Sequence, residues 1–201
     1  MKTVIRTLII SFILNSVAIS MSTEGTNIGL LMEKNKGAFS ISSSLSITPQ
    51  KPSSDTEIGQ IQYIHGALLL TNGIEFSFGN SLEDDDSYTY LGASYYIKDK
   101  NYTIGINNRF HYNTNLKNDK KPREFGASFS YEIPKQAFSP YLKYALRQYG
   151  QGQNLQLLTL GGFTSFSQMM FSFSYTMPMN ADQGFYNGKG EIAVSLGVFL
   201  N

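Results

Sequence analysis

Side chains that could act as a catalytic base are few in this sequence. There are two histidines, His65 and His111, and no cysteine, so neither a thiolate nucleophile nor a thiolate metal site is available. Hydrolases and acyltransferases need a positioned base, usually a histidine oriented by a carboxylate and often beside a serine. No carboxylate lies at a sequence spacing from His65 that would indicate a catalytic pair. His111 is expected near Glu124, but it has no Ser-His or His-x-Ser motif beside it. We therefore predict no catalysis, no cofactor and no metal site.

Two charged segments are candidates for contacts with ions or lipids. Residues 83–86 are Glu-Asp-Asp-Asp; clustered carboxylates suit Ca²⁺, but this run lacks the glycine and the spacing of an EF-hand loop, so a solvated outer loop is the preferred interpretation. Lys120, Lys121 and Arg123 could contact lipopolysaccharide phosphates or belong to an ordinary polar loop. The chain has 16 basic and 15 acidic residues, which provides no field for binding nucleic acid.

The first twenty residues have the organisation of a signal peptide. Lys2 and Arg6 form a basic start, residues 7–14 are mostly apolar, and small residues follow up to Ser20. Cleavage after Ala18 or Ser20 would satisfy a small-x-small site. The apolar run is shorter than the roughly 20 residues that span a bilayer as a helix, so a retained anchor is the less favoured alternative. We predict a signal peptide over residues 1–20 and a mature domain over residues 21–201.

The mature chain alternates between apolar and polar residues with a period of two. Phe125, Ala127, Phe129 and Tyr131 are separated by glycine and serine, and residues 102–112, 168–178 and 190–200 repeat this pattern. Alternation over about ten residues, with turn signals between the segments, is typical of transmembrane barrel strands. We therefore predict an all-β fold, an antiparallel transmembrane β-barrel.

A soluble sandwich or lipocalin-like barrel would also alternate, and it is the alternative. Two features favour the membrane barrel. The polar positions within strands are mainly Gly, Ser, Thr, Asn and Gln, whereas a solvated outer face usually carries more charge. Aromatic residues also occur near strand ends, where interfacial girdles are expected. They are Tyr88, Tyr90, Tyr102, Phe110, Tyr112, Tyr131, Tyr141, Tyr149 and Tyr175.

Hairpin pairing supports the alternation, because a one-residue slip would invert every side chain. Turns predicted at 98–101, 134–138 and 165–168 keep apolar residues on one face of both strands, and Asn72-Gly73 is a fourth, two-residue turn signal. The predicted pairs include Ile97 with Tyr102, Phe129 with Leu142, and Gly162 with Phe171.

Eleven segments have strand character, near residues 26–34, 37–48, 58–71, 73–80, 87–98, 101–112, 123–133, 139–149, 154–164, 168–178 and 190–200. Single-chain bacterial barrels normally have even strand counts. We predict ten strands, with one N-terminal segment outside the barrel, and twelve as the alternative. Short and long connections alternate after residue 48, so the long ones are expected on the outer side of the membrane.

Strand parity predicts a charged lumen. The inward residues are expected to be Glu75, Arg109, His111, Glu124, Glu132, Lys143 and Arg147. The 134–138 hairpin places Glu124 beside Arg147, and the 98–101 hairpin places Tyr90 beside Arg109 and Tyr88 beside His111. The preferred interpretation is a mutually paired interior that fills a narrow barrel. The alternative is a constriction in which Arg109, Lys143 and Arg147 select solutes by charge.

The segments Tyr90–Tyr96, Ile104 to Arg109, Phe125–Phe129 and the closing Gly190 to Leu200 resemble the YfaZ-type family of small outer-membrane barrels. The resemblance covers about residues 25–200 and rests on the rhythm of the hairpins. It implies the barrel fold and an outer-membrane location, and no chemistry.

We therefore expect an integral outer-membrane barrel with a structural or narrow-pore role. A surface interaction protein that binds a ligand or lipopolysaccharide through its outer loops is the alternative. The expected partners are outer-membrane lipid, lipopolysaccharide and, through the C-terminal strand ending near Phe199, the barrel-assembly machinery.

Overall fold

The computed structural model describes residues 28–31, 36–48, 59–81, 88–113, 122–148, 154–180 and 190–200. Within these ranges, one helical turn, α1 (Ile28–Leu31), precedes ten strands. The strands are β1 (Ala38–Thr48), β2 (Gly59–Leu69), β3 (Ile74–Ser81), β4 (Tyr88–Asp99), β5 (Tyr102–Asn113), β6 (Arg123–Tyr131), β7 (Phe138–Gln148), β8 (Asn154–Phe166), β9 (Met169–Pro178) and β10 (Glu191–Leu200). Each strand pairs antiparallel with its neighbours in sequence, and β1 pairs with β10 to close the barrel.

The ten-stranded fold confirms the prediction, and the structure identifies the segment that is not a strand. The part of segment 26–34 that is described is α1, a single helical turn. Both edges of β1 are already occupied, by β2 and by β10, so no free edge remains beside it. Within the described ranges, no helix is long and apolar enough to cross a membrane. The expected signal peptide, residues 1–20, lies outside the described residues.

The barrel is apolar outside and polar inside. In β6, Glu124, Ser128 and Ser130 are buried, whereas Phe125 and Phe129 are 43% and 45% exposed. Along β5, Thr103 and Arg109 point inward and are buried, while Ile106 is 60% exposed. A soluble barrel would have the opposite arrangement, since its apolar face must leave water. The fold is therefore that of a membrane barrel.

The hairpin between β6 and β7 has the predicted register, with Phe129 opposite Leu142. The β4–β5 and β8–β9 registers were predicted two residues off. Asp99 pairs with Tyr102, and Phe166 pairs with Met169. Both turns therefore contain two residues instead of four, and their first residues, Lys100 and Ser167, adopt φ values of 48° and 56°. A shift of two residues leaves every side chain on its predicted face, so alternation did not reveal the error.

The β2–β3 connection is one residue longer than predicted. Leu70 N–H donates to Ile74 O, and Gly73 N–H donates to Leu70 O, so Thr71, Asn72 and Gly73 form a three-residue loop. Gly73 has φ of +85°, and a Cβ there would collide with the carbonyl oxygen of Tyr96. Only glycine combines this backbone conformation with the close approach to β4.

The aromatic girdle was predicted partly wrongly. Tyr102, Phe110, Tyr112 and Tyr131 do point outward and are 38–46% exposed. Tyr90 and Tyr141 instead point into the lumen and are buried, because their position near a strand end does not override strand parity. The side chain of Tyr88 and all of Tyr149 lie outside the described set.

Candidate functional site

The centre of the polar interior is Glu124, a carboxylate at the start of β6. Register places it opposite Arg109 of β5 on one side and opposite Arg147 of β7 on the other. Arg147 donates to Oε2 from Nη2 at 2.8 Å and from Nε at 3.2 Å. Lys143 Nζ donates to Oε1 at 3.1 Å, and Arg109 Nη1 lies 3.8 Å from the same oxygen. The predicted Glu124–Arg147 contact is thus part of a larger arrangement, in which three cations share one carboxylate.

His111 completes this arrangement, which we call the Glu124 cluster: Arg109, His111, Glu124, Lys143 and Arg147. His111 Nε2 lies 3.6 Å from Glu124 Oε2. All five residues are buried, with no more than 7% of each exposed. Alternation of β7 puts Lys143 and Arg147 four residues apart on its inner face, and the short Ser128 opposite Lys143 leaves space for the lysine to reach Glu124.

Charges in the described lumen balance in number. The buried carboxylates are those of Glu75, Glu124 and Glu191, and the buried cations are Arg109, Lys143 and Arg147. Buried ions are tolerated when each is compensated by opposite charge and hydrogen bonds. The balance holds for the described lumen as a whole, whereas the Glu124 cluster by itself contains three cations and one carboxylate.

Two of the expected lumen residues lie away from the Glu124 cluster. Glu132 follows the last residue of β6, so strand parity does not apply to it; its side chain is 58% exposed and pairs with Lys98 Nζ at 3.2 Å. Its expected place in the lumen network is therefore wrong. Glu75 does face the lumen, but it accepts hydrogen bonds from Gly29 N–H at 2.9 Å and from Tyr96 OH at 3.4 Å.

The two-residue error in the β4–β5 register also changes the neighbours of the lumen tyrosines. Tyr90 pairs with His111, Gly92 with Arg109, and Tyr88 with Asn113. The predicted contact between Tyr90 and Arg109 nevertheless exists, because the guanidinium carbon lies 5.0 Å from the centre of the Tyr90 ring. At this distance the cation is attracted to the ring face, so Tyr90 is joined to the Glu124 cluster.

A second group of buried polar side chains, joined by hydrogen bonds, was not predicted from the sequence. Ser44 Oγ lies 2.6 Å from His65 Nε2, and His65 Nδ1 lies 2.9 Å from Tyr90 OH. In the β1–β2 register His65 is opposite Ser42, and Ser44 is the next inward residue of β1. Strand alternation places Ser44 and His65 on the inner face. The register between their strands could not be predicted, because the long connection at residues 49–58 contains no short hairpin turn that would set it.

The order serine, histidine, tyrosine is that of a nucleophile, a base and an orienting group. The surroundings are closely packed, however. Ser44, His65 and Tyr90 are each 1–3% exposed, and a Cβ on Gly79 would collide with Tyr90 and lie 2.7 Å from His65 Nδ1. Catalysis needs a reacting atom within reach of both the nucleophile and stabilising donors. The hydrogen bonds from Ser44 through His65 to Tyr90 are better suited to satisfying buried polar groups, which would otherwise destabilise the fold.

In the part of the chain that the structure describes, no group of three or more His, Asp or Glu side chains is arranged to hold a metal ion. Clustered side chains of these types are what a protein metal site requires.

Comparisons with known proteins identify the fold. No family model matches the sequence, and no curated protein matches it. Among solved structures, the KdgM porin superposes with a TM-score of 0.55 at 11% identity, covering 81% of this chain and 98% of that one. A designed transmembrane β-barrel gives 0.40 at 12% identity, with 84% and 100% covered. OpdO of Pseudomonas aeruginosa gives 0.36 at 12% identity, with 81% and 65% covered. The match to the KdgM porin shows that the chain has an outer-membrane β-barrel fold. None of these matches establishes the YfaZ-type family.

Proposed function

We propose that this chain is an integral outer-membrane β-barrel with a structural role, closed to solutes and without catalysis. The observation that carries the proposal is the Glu124 cluster. Four buried side chains from β5 and β7 converge on the Glu124 carboxylate of β6 in the lumen. Opening a path there would separate charges that are now paired, which is strongly unfavourable.

The outer surface supports a place in the membrane. Large apolar side chains such as Phe78, Leu91 and Ile106 are 50–60% exposed. Soluble monomers rarely expose continuous apolar surface of this kind. The strands are 8 to 13 residues long, and about 9–11 residues are needed to cross the hydrocarbon as a tilted strand.

Orientation follows from the two ends of the barrel. The connections at 70–73, 100–101, 132–137 and 167–168 are short and lie at one end, which we call the short-turn mouth. The longer connections lie at the other end. Outer-membrane barrels have short periplasmic turns, so we place the short-turn mouth in the periplasm. Export by the signal peptide and assembly through β10 belong to this proposal.

Fractionation with electrophoresis tests the membrane barrel, and planar bilayers test the closed lumen. The protein should fractionate with the outer membrane, and its gel mobility should shift on boiling. Purified protein should give no steady single-channel steps. Recovery in the soluble periplasm without a mobility shift would overturn the proposal.

A narrow pore is the second candidate, favoured by the fold shared with the KdgM porin. If the Glu124 cluster rearranged, the constriction would be lined by Arg109, Lys143 and Arg147, and it would select solutes by charge. Steady conductance steps whose ion selectivity changes in Arg147→Leu would favour this function over the structural one.

Binding through the outer loops is a third possibility for which the sequence alone argues. Residues 80–87 carry excess acid and residues 113–122 carry excess base, and most of both segments lies outside the described residues. Deleting them should abolish binding to lipopolysaccharide and leave the heat-modifiable barrel intact if this function is correct.

A further inference from the structure

We propose that α1 is a plug that narrows the short-turn mouth of the lumen and can be displaced without breaking the barrel. This inference does not depend on whether the lumen beyond α1 conducts. It rests on the position of α1, on two contacts that hold it and on its independence from the strand pairing.

The burial of Leu30 shows that α1 lies inside the barrel. Its side chain is 3% exposed, although it belongs to no strand. It belongs to an apolar cluster whose other members are inward residues of seven strands, and α1 lies mainly against β2, β4 and β5. The other members of the cluster are Ala38, Ala67, Leu69, Tyr96, Tyr141, Phe163, Met170 and Phe199. These strand residues lie towards the short-turn mouth, where β1 begins and β10 ends.

Gly29 provides the polar contact. Its N–H donates to Glu75 Oε2 at 2.9 Å, and Tyr96 OH donates to the other oxygen of the same carboxylate. Glu75 lies on the inner face of β3 and is 2% exposed. The role of this buried carboxylate, which is outside the Glu124 cluster, is therefore to bind the backbone of α1.

Close packing explains why residue 29 is glycine. A Cβ built there would overlap the ring of Tyr96, which is itself buried. A single methyl group at this position is therefore incompatible with the docked helical turn unless the ring moves.

The docked helical turn α1 can leave as a unit because it pairs with no strand of the sheet. All ten strands pair with each other, and β1 closes on β10 without α1. A helix of one turn is not stable alone in water, so α1 keeps its conformation through Leu30 and Gly29. Elements with few contacts open more easily than the core of a fold.

The lumen then has two separate barriers. Tyr96 contacts α1, whereas Tyr90 contacts the Glu124 cluster. Six residues of extended strand separate these tyrosines, about 20 Å along β4. Beside Leu30 lies a cavity of about 140 Å³, lined also by Lys98, Ser130 and Gln136, so α1 fills only part of the mouth. Ser128, two residues further into the barrel than Ser130 and 8% exposed, is therefore the better position from which to measure the seal.

Thiol labelling tests the plug, since the chain has no cysteine of its own. Ser128→Cys is introduced as the lumen reporter and Ser165→Cys, exposed beside the short turn, as the reference. The folded protein, identified by its mobility shift on boiling, is treated with a small charged thiol reagent. The lumen reporter should react much more slowly than the reference.

Gly29→Ala should raise the labelling rate of the lumen reporter by about tenfold or more, because it shifts the population from docked to displaced plug. Glu75→Gln, which weakens the same contact without a steric clash, should raise it less. Leu160→Ala, which truncates an outward leucine, should leave the rate unchanged.

Equal labelling rates in the folded parent, Gly29→Ala and Glu75→Gln proteins would overturn the plug. So would a parent whose Ser128→Cys reporter reacts as fast as the reference. If Gly29→Ala prevents folding, the Glu75→Gln comparison decides. Failure of the closed-lumen function would appear separately, as conductance in the parent protein.

Discussion

Arg147 binds Glu124 through two nitrogens that donate to a single carboxylate oxygen, at 2.8 and 3.2 Å, between the paired strands β6 and β7. The other oxygen accepts from Lys143. Glu124 therefore keeps a cationic partner if Arg147 is removed, whereas removing Glu124 leaves three cations close together. The two partners are not equivalent.

The first prediction follows from this asymmetry. Glu124→Gln should lower the free energy of unfolding by about 3–5 kcal/mol, as expected for breaking a buried ion pair. Arg147→Leu should lower it by about 1–3 kcal/mol, and adding it to Glu124→Gln should restore part of the loss. Denaturant titration in detergent micelles, followed by circular dichroism, measures all three variants.

Lys98→Met provides the control for that cycle. Its ion pair with Glu132 is at the short-turn mouth and half exposed, so its loss should change stability by less than about 1 kcal/mol. Strict additivity of Glu124→Gln and Arg147→Leu would instead indicate a wide, hydrated lumen and would favour the narrow-pore function.

The second prediction concerns the Ser44–His65–Tyr90 chain. Ser44→Ala and Tyr90→Phe should each lower the free energy of unfolding by about 1 kcal/mol, because each removes one buried hydrogen bond. Ser165→Ala, at an exposed position, should have no effect. A fluorophosphonate probe should not label the parent protein. Labelling that disappears in Ser44→Ala would contradict the structural role and indicate a serine nucleophile.

The third prediction compares two turns with left-handed backbone. Gly73→Ala should destabilise the protein by about 1–2 kcal/mol or more, because alanine disfavours a positive φ and would also strike Tyr96 O. Lys100→Gly should stabilise it by up to about 1 kcal/mol, because glycine accepts the φ of 48° without strain. Thermal unfolding of both variants checks the opposite signs. A stabilising Gly73→Ala would show that this loop differs from the described one.

The fourth prediction concerns the lipid-facing surface of β5. Ile106→Lys, in the middle of the strand, should lower the stability of the barrel in lipid by about 2–4 kcal/mol, whereas Tyr102→Lys, at its end, should lower it by about 0–1 kcal/mol. Reversible folding into bilayer vesicles measures the difference. Equal, small effects at the two positions would mean that this face is in water.

The amino-acid sequence by itself determined the properties that depend on strand alternation and on local hairpins. Successive side chains of a strand point to opposite faces, so the inward positions of Arg109 and Lys143 could be predicted without coordinates. The contact between Glu124 and Arg147 was also predictable, because the hairpin that joins their strands is local and its register was fixed by Phe129 and Leu142.

Only the tertiary structure decided the registers and contacts that the alternation of side chains does not determine. A two-residue shift preserves both faces, so the partner of Tyr90 could not be chosen between Arg109 and His111. Pairing of β1 with β2 across a long connection brought Ser44 to His65, and docking of α1 inside the barrel brought Gly29 to Glu75. Such contacts join parts of the chain without a readable turn between them, and their geometry depends on the curvature of the whole sheet, which no local pattern encodes.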